Sequence, residues 1–410
     1  MLILHTSDWH LGRKLHGADL SEASALWCRH VINLVRERSI AAVLIAGDVY
    51  DRGVPPTESV ELFDATLREL SELTTVILTS GNHDSAHRLG FGAGLMRDNI
   101  HIRTDSRDSG TPVEVRGQDG EVGALVYPIP YVDPDVERRR LAGMSVNDDE
   151  NHDDSPHYLA RSHEAVLGAA LDLVADDIAN GAHAGEDVAR ICMAHAFITG
   201  GQPSASERDL HVGGVDSAPS GLFRLGASGD DPGPLSYVAL GHLHSPQRVG
   251  QKCDPPMRYA GSPMAFSFSE SRAKSSVLLE IEGGGVTTSL IEAPVWRPIC
   301  TIEGALEEIL SDAHIPDREK FARIIATDQA RPDELTSKVR RIFPFALDVQ
   351  HRAGSIEERS SLAKVAAQEP MEVLADFMRI AGNRELTEAE TQVLEQSWEH
   401  TRAAHEKESA

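Results

Sequence analysis

Five apolar runs in this sequence each end in a short polar segment, and this repeated pattern constrains the fold more than any other feature. The polar segments are rich in His, Asp and Asn, and three of them lie within the first 84 residues. Helical periodicity separates the first three runs, which gives the strand-helix-strand order of a mainly parallel sheet. In open sheets of this kind, ligands bind at the carboxyl ends of the strands, where we expect these segments to lie.

The predicted elements fit one large α/β domain. Helices are predicted at about residues 21–38 and 57–73. The strands that precede the polar segments are predicted at residues 2–5, 41–46, 75–78, 188–194 and 235–240. With 410 residues the chain can bury more than one core, so we predict a two-sheet sandwich flanked by helices, followed by smaller modules.

The smaller modules begin after a pair of prolines. Residues 276–281 and 286–291 predict two strands joined by a glycine turn, and Pro294 and Pro298 then mark a boundary. Beyond them, alternating strand and helix patterns predict a small α/β cap. The predicted divisions are a catalytic domain at 1–295, the cap at 296–352, a linker at 353–369 and a helical partner-binding segment at 370–410.

The last segment predicts two helices. Pro370 suits a first helical position, and Leu374, Phe377 and Met378 follow the spacing of an amphipathic helix. Thr387, with Glu390 three residues later, predicts the start of the second helix. Because the pair is too small to form its own core, its apolar face must dock on this chain or on a partner.

Composition limits the classes of function. A net charge of −25 argues against a protein that coats DNA non-specifically, although a bound metal cluster would add positive charge that the sequence count omits. The four cysteines are far apart and predict no disulfide framework, which fits a cytoplasmic protein. No run is long enough to span a membrane, and the start lacks a signal-peptide pattern. The acidic segment 146–158 predicts a hydrated loop, with metal capture by its histidines as the alternative.

The polar segments contain the ligands of a two-metal site. Two divalent ions about 3.5–4 Å apart can neutralise a phosphodiester, activate water and stabilise the leaving oxygen. Carboxylate and imidazole ligands suit manganese, iron or zinc, and Asp48 is placed to bridge the ions. Asp8 and His10 occupy alternate positions beyond the first strand, so both can point toward one site, and His242 and His244 repeat this spacing.

These considerations assign a ligand set to each ion. The alternative for each residue alone is an ordinary hydrogen-bonded polar side chain near a strand end, but five such segments in order argue against it. The first set is Asp8, His10, Asp48 and His244, and the second is Asp48, Asn82, His195 and His242.

The order of the motifs resembles a known superfamily. Asp-x-His, Gly-Asp-x-x-Asp, Gly-Asn-His-Asp, a lone His after a strand and Gly-His-x-His occur here at residues 8–10, 48–51 with the preceding glycine, 81–84, 195 and 241–244. In this order they resemble the calcineurin-like metallophosphoesterases. Within that superfamily, residues 5–12, 208–214, 239–244 and 258–263 are similar to the SbcD family of bacterial nuclease subunits. The likeness covers most of residues 1–352.

The resemblance implies a function and partners. SbcD-like proteins imply manganese-dependent exonuclease action on duplex ends and endonuclease action on single strands and hairpins, in DNA repair, recombination and replication. It also implies a homodimer of nuclease subunits within a heterotetramer, with the C-terminal helices bound to the coiled-coil base of the ATPase SbcC. No Gly-x-x-x-x-Gly-Lys-Ser/Thr motif occurs in the sequence, so any ATP dependence would come from a second polypeptide.

His83 is the candidate general acid. It follows the predicted ligand Asn82, so we expect it beside the metals without binding them, where it can protonate the leaving oxygen. Asp84 or Asp51 could hold its ring and raise its pKa. An inert His83 is the alternative, whereas the SbcD resemblance implies that this histidine is catalytic.

Two other functions remain open from the sequence. Residues 47–53 also resemble protein Ser/Thr phosphatases, in which an arginine at the position of Arg52 grips a phosphomonoester. Those enzymes carry Gly-Asn-His-Glu where this chain has Asp84, so we interpret Arg52 as a surface or DNA-backbone residue. The rivals are a phosphomonoesterase or cyclic-nucleotide phosphodiesterase, and a non-catalytic scaffold for the ATPase. The presence of His83 argues against a scaffold, which needs no acid.

Overall fold

The computed structural model describes residues 1–142, 158–207, 217–270 and 272–353. Most of the acidic segment, the motif at 208–214, the linker from residue 354 onward and the predicted C-terminal helices lie outside the described residues. The predictions for those parts of the chain stay predictions.

The described residues form strands and helices in an alternating order. The strands are β1 (Leu2–Thr6), β2 (Lys14–Leu15), β3 (Ala18–Asp19), β4 (Ala42–Ala46), β5 (Thr75–Thr79), β6 (Ile100–Arg103), β7 (Val113–Arg116), β8 (Val122–Ile129), β9 (Ala189–His195), β10 (Tyr237–Gly241), β11 (Gln247–Val249), β12 (Met257–Tyr259), β13 (Ser275–Glu282), β14 (Gly285–Glu292), β15 (Ile299–Gly304), β16 (Phe321–Ala326) and β17 (Ala346–His351). The α-helices are α1 (Ser21–Arg38), α2 (Thr57–Ser71), α3 (Ala86–Leu89), α4 (Pro134–Arg140), α5 (His163–Asn180), α6 (Leu306–Ile309) and α7 (Leu335–Ile342). Short 3-10 helices span Ala93–Leu95, Ser106–Asp108, Ser220–Arg224 and Asp312–Asp317.

Two six-stranded sheets contain most strands of the described chain between Leu2 and Glu292. The first sheet has the order β14-β13-β1-β4-β5-β6, in which β1, β4, β5 and β6 are parallel and β13 pairs antiparallel with both of its neighbours. The second sheet has the order β11-β12-β10-β9-β8-β7, with β12, β10, β9 and β8 parallel and antiparallel strands at both edges. The predicted mainly parallel α/β arrangement is confirmed.

The sheets pack face to face through apolar side chains. Ile3, Leu44 and Ile77 of the first sheet meet Ile191 and Met193 of the second in one fully buried cluster. Since successive side chains of a strand point to opposite faces, the outer faces are also apolar and need cover. Helices α1 and α2 cover the first sheet, and α5 covers the second. The layers explain why the predicted strands are almost wholly apolar.

Helix α1 shows how local sequence produces this cover. Trp27, Val31 and Val35 recur every four residues and are all buried, so one face of the helix lies on the first sheet. The helix ends at Ser39, which adopts a left-handed conformation with φ 51°, and its backbone N–H donates to the carbonyl oxygen of Val35. The predicted bounds of this helix, 21–38, are confirmed.

A third sheet lies within the predicted cap. Its parallel strands have the order β15-β16-β17, and α6 and α7 pack on it through a core that includes Ile302, Ile324 and Phe343. A separate apolar cluster joins Phe321 of this third sheet to Phe266, which precedes β13 of the first sheet. The predicted domain boundaries at 295 and 352 stay predictions.

Composition also led to expectations about disulfide bonds and membrane-spanning segments. The four cysteines, all within the described residues, are free. Among the helices of the described residues, none is long and apolar enough to cross a membrane.

Candidate metal centre

The structure brings the seven predicted ligands together at one edge of the sandwich. Strands β1, β4 and β5 of the first sheet and β9 and β10 of the second all end there. Three overlapping groups have ligand atoms within 4.8 Å of one another: Asp8 with His10 and His244, His10 with Asp48 and His83, and Asp8 with Asp48 and His195. Asn82 joins them because its Oδ1 lies 3.0 Å from His195 Nε2 and 3.1 Å from His242 Nδ1.

The loops that carry the ligands turn sharply. Asp8, His10 and Asp48 are in the left-handed region with φ between 44° and 54°, and His242 has φ 110°. Non-glycine residues rarely adopt these conformations, which cost on the order of 1–3 kcal/mol each and occur mainly at functional sites. Asp8 and His10 were predicted to point to one site because side chains alternate along a strand. That explanation was wrong, because both residues lie in left-handed turns beyond the end of β1. The turns bring the two side chains together.

Backbone hydrogen bonds join the first two loops. The Asp8 N–H donates to the Gly47 carbonyl oxygen at 3.1 Å, and the His10 N–H donates to that of Asp48 at 3.0 Å. Glycine is required where the loops meet, because a Cβ atom at Gly47 would overlap the His195 ring and one at Gly81 would overlap the Asp48 carboxylate. The glycines in both motifs thus allow the strand ends to converge.

Asp48 lies between the two predicted ligand sets. Its Oδ2 is 3.5 Å from His10 Nε2, in the first set, and 3.4 Å from His195 Nε2, in the second. Its Oδ1 accepts the backbone N–H of His83 at 2.8 Å. Although burial raises it, the adjacent His195 and His10 hold the pKa of Asp48 well below its usual value. An ionised carboxylate at this position is what a bridging ligand requires.

The donor set fits divalent metal ions. His195 donates from Nδ1 to the Ala46 carbonyl oxygen at 2.9 Å, so in the neutral ring Nε2 carries a lone pair. That lone pair faces oxygen atoms of Asn82 and Asp48, and the cluster needs a positive charge to be stable. Burial lowers the pKa of His195, but the Asp48 and Asp8 carboxylates and the Ala46 carbonyl together outweigh this effect and raise the pKa to about 9. A metal ion can supply the same charge, and oxygen and imidazole ligands suit manganese, iron or zinc.

His83 was predicted to lie beside the metals without binding them, and the structure places it next to His10, within one of the three groups whose atoms could hold an ion. Its ring centroid is 4.7 Å from that of His10, in an edge-on arrangement. Its Nδ1 lies 2.8 Å from the Asp51 carbonyl oxygen and donates to it. The second ring nitrogen can therefore exchange a proton with a substrate, which is the geometry of a general acid. The assignment of His83 as acid, like that of the seven ligands, stays a prediction.

The partner that orients His83 differs from the prediction. A carboxylate of Asp51 or Asp84 was expected to hold the ring, but the main-chain oxygen of Asp51 does so. The Asp51 carboxylate instead lies 3.8 Å from His10 Nδ1 and 3.6 Å from Arg13 Nε. Asp51 therefore acts on His83 through its backbone.

Asp84 ties two loops together. Its carboxylate accepts backbone N–H groups from Val49 at 3.0 Å, Tyr50 at 2.9 Å and Gly81 at 2.9 Å. Burial and the neighbouring Asp48 raise the pKa of Asp84 to about 7, against the opposing effect of these three donors. The role that the contacts support is positioning of the Asp48 and His83 loops, not direct proton transfer.

Sequence reasoning missed the residues behind His244. Its Nδ1 lies 2.5 Å from Ser206 Oγ, and this hydroxyl donates to Glu270, which is paired with Lys274. The backbone N–H of His244 donates to Glu207 at 2.7 Å. Lys274 lies 30 residues from His244 in the chain and Ser206 lies 38, outside any of the motifs, so no local pattern could have identified them.

Arg52 is placed at the surface. It is exposed and lines a cavity of about 700 Å³ together with mostly apolar residues, including Val54, Phe63 and Phe91. The interpretation of Arg52 as a surface residue is confirmed, and its role toward DNA stays a prediction.

Comparison with known proteins identifies the family. The family model described as calcineurin-like phosphoesterase matches residues 1–246. Among solved structures, a dimetal phosphatase from Danio rerio has a TM-score of 0.38 at 13% identity and covers 72% of this chain and 99% of its own. A protein of Thermus thermophilus has a TM-score of 0.35 at 13% identity and covers 70% and 98%, and the Plasmodium inner membrane complex anchor GAP50 has 0.38 at 10% identity and covers 72% and 84%. The family match spans more than half of the chain and includes the whole ligand cluster, so the protein belongs to the calcineurin-like phosphoesterase family.

Proposed function

We propose that this protein is a manganese-dependent DNA nuclease of the SbcD type. It degrades duplex ends and cuts single strands and hairpins in concert with an SbcC-type ATPase. The observation that carries the proposal is the placement of His83, which lies beside a buried ligand cluster with one ring nitrogen held by the Asp51 carbonyl. Cleavage of a phosphodiester releases an alkoxide that needs a proton, and this ring can provide it.

Each residue of the cluster has a role in this reaction. Two manganese ions held by the seven ligands would neutralise the phosphate and lower the pKa of water. Asp48 supplies the shared negative charge, and Asp84 fixes the loops on both sides of it. The Asp51 carbonyl accepts the Nδ1 hydrogen of His83, so in the doubly protonated ring the other nitrogen carries the proton that passes to the leaving oxygen.

Motifs similar to the SbcD family support DNA as the substrate. One of them, at residues 258–263, lies directly behind the ligand loops. The Tyr259 hydroxyl donates to the Ala196 carbonyl oxygen and accepts the Ile198 N–H, both at 2.8 Å, which holds the loop after His195. Ser262 accepts from Lys274, which also contacts the His244 carbonyl oxygen. The motif thus holds the two ligand loops of the second sheet, the one that follows β9 and the one that follows β10.

Substrate choice separates the proposal from its rival. We expect manganese-dependent cleavage of end-labelled duplex, hairpin and single-stranded DNA, and little turnover of nitrophenyl phosphomonoester. Arg52→Ala serves as a matched control, because a phosphatase that grips its substrate through this residue would lose activity, whereas DNA cleavage should persist. Efficient phosphomonoester hydrolysis without DNA cleavage would replace the proposal with the phosphatase. A protein without either activity would favour the scaffold.

The partner is a separate part of the proposal. Residues 354–410 lie outside the described residues, and their sequence predicts the amphipathic face that would bind the coiled-coil base of the ATPase. We propose a cytoplasmic heterotetramer that contains a homodimer of this chain.

Deletion of residues 354–410 tests the partner directly. Metal-dependent cutting of short single strands should persist, because every predicted ligand precedes residue 245. Co-purification with the ATPase and ATP-stimulated cutting of duplex ends should disappear. Equal recovery of the ATPase with the full-length and truncated chains would move the contact elsewhere.

A further inference from the structure

A buried chain of hydrogen bonds supports His244 from behind. His244 Nδ1 lies 2.5 Å from Ser206 Oγ, which in turn donates to Glu270. Lys274 pairs with the other carboxylate oxygen. The four residues are at least nine-tenths buried, with exposed fractions of 1% for His244, 9% for Ser206, 4% for Glu270 and 8% for Lys274.

The donors and acceptors in this chain fix the tautomer of His244. A hydroxyl has one hydrogen, and an ionised carboxylate can only accept, so the Ser206 hydrogen points to Glu270. Ser206 Oγ must then accept the hydrogen of His244 Nδ1. The neighbouring Ser204 hydroxyl, 3.0 Å from that of Ser206, donates to Glu207 instead. His244 Nε2 is left with its lone pair, and it faces the cluster 3.0 Å from His10 Nε2.

The other imidazoles of the cluster have weaker support within the described residues. His195 donates to an uncharged main-chain oxygen, that of Ala46. His242 Nδ1 faces the amide oxygen of Asn82, which is itself a predicted ligand. His10 Nδ1 has no hydrogen-bond partner among the described residues, and the nearest carboxylate oxygen, that of Asp51, lies 3.8 Å from it. In metal sites, a carboxylate behind a histidine fixes the ring and increases the donor strength of the nitrogen that binds the ion. Among the described residues, such a hydrogen-bonded link to a carboxylate lies behind His244 of the first predicted ligand set, through Ser206 to Glu270, and behind no imidazole of the second set.

The fold alone gives little reason for this arrangement. Replacement of a buried ion pair by apolar side chains is often neutral or stabilising, because desolvation of the charges offsets their attraction. Here the pair is tied to the ligand loop, since Lys274 Nζ donates to the His244 carbonyl oxygen at 2.8 Å as well as to Ser262 Oγ at 2.9 Å. The network therefore holds both the ring and the backbone of His244.

We propose that Ser206 and Glu270 are positioning residues for the ion that His244 binds. They set the affinity of that ion and leave the ion bound by His195 and His242 unaffected. The inference rests on the two-ion set of the proposed function. It makes the two ions unequal, with the more strongly supported ion on the His244 side.

Manganese binding to the full-length, metal-free protein tests the inference. Titration calorimetry and manganese electron paramagnetic resonance should give two binding classes in the wild type. Ser206→Ala should weaken one class about 10–100-fold, the usual effect of removing such an outer partner, and leave the other unchanged. His244→Ala should weaken the same class, and His195→Ala the other. Ser269→Ala is the matched control, because Ser269 contacts the same loop through Ala205 without touching His244.

A second variant tests the inference independently, in case Ser206→Ala fails to fold. Glu270→Gln combined with Lys274→Met removes both buried charges together and should weaken the same class as Ser206→Ala. Unchanged binding in both variants, or equal weakening of both classes, would overturn the inference while the two-ion proposal stands. A wild-type chain that binds fewer than two ions would overturn the proposed metal set, and this inference with it.

Discussion

The loops that follow the first sheet and those that follow the second give the metal centre different kinds of side chain. The first sheet supplies two carboxylates, an amide and one imidazole, whereas the second supplies imidazoles alone. The first-sheet ligands are Asp8, His10, Asp48 and Asn82, and the second-sheet ligands are His195, His242 and His244. Because each predicted set draws on both sheets, each ion would link them. Changes to Asp8 or Asp48 of the first sheet therefore alter the charge of the ligand set, while changes to the second-sheet ligands alter only the number of neutral donors.

The largest expected effect is that of Asp48→Asn, which removes the charge shared by both ions. Manganese-supported cleavage should be abolished, and both binding classes should weaken, because Asp48 lies between His10 and His195. DNA cleavage and metal content after equilibrium dialysis measure the result. Asp64→Asn, at an exposed ion pair on α2, is the control. Near-normal nuclease activity in Asp48→Asn would show that the first sheet does not supply the bridge.

His83→Ala tests whether the first sheet also supplies the acid. The rate of cleavage should fall by roughly 10²–10⁴-fold, the typical contribution of general acid catalysis, while both ions remain bound. Single-turnover kinetics and metal content are the measurements. His87→Ala, at an exposed histidine nearby, should behave as the wild type. Loss of an ion from His83→Ala would instead make His83 a ligand.

Thermal unfolding shows whether the ions link the sheets. Manganese at a hundredfold excess over its dissociation constant should stabilise the protein by about 2.7 kcal/mol for each ion, a rise of several degrees in Tm. His195→Ala should lose roughly half of this rise and Asp48→Asn all of it. A Tm that does not respond to manganese would mean that the sheets hold together without help from the ions.

The smallest expected effect concerns acid stability. Although burial raises it, the contacts with His244 and Lys274 lower the pKa of Glu270 from 4.5 to about 2. A depressed carboxyl pKa stabilises the fold above the unfolded value and loses that contribution as the pH falls through the folded value. The wild type should therefore lose more stability between pH 4.5 and 2 than Glu270→Gln combined with Lys274→Met. Denaturant unfolding at several pH values measures this difference, and parallel curves would contradict it.

Local sequence predicted most of the catalytic fold. The strands that end at the site were found within about two residues of their predicted bounds, because an apolar run with a polar end is a local signal. Strand β8 was missed, since Pro128 and Gly123 lie inside it and both residues argue against a strand. Helix α5 was missed as well. Its alanine-rich sequence is apolar over much of its surface, which obscures a helical stripe.

The candidate site likewise has residues that local sequence could identify and residues that it could not. Ligand types next to strand ends were visible because each motif is contiguous. The partner of the His83 ring was not, because a backbone carbonyl leaves no trace in residue identity. The contact of Ser206 with Glu270 spans 64 residues, and the one with His244 spans 38, so only the folded chain brings these residues together.

The left-handed turns of the ligand loops cost stability, and the packing of the buried ligand side chains offsets that cost. Asp8, His10 and Asp48 each adopt a conformation that costs about 1–2 kcal/mol for any residue with a Cβ atom and almost nothing for glycine. His10 is the clearest case, because its Nδ1 has no hydrogen-bond partner in the described part of the chain. Glycine at position 10 would relieve this turn, but the His10 ring is 1% exposed and packs against Phe266, so its loss would leave a cavity that costs roughly 2–5 kcal/mol. The buried ring therefore retains the strained turn whether or not the reaction requires it.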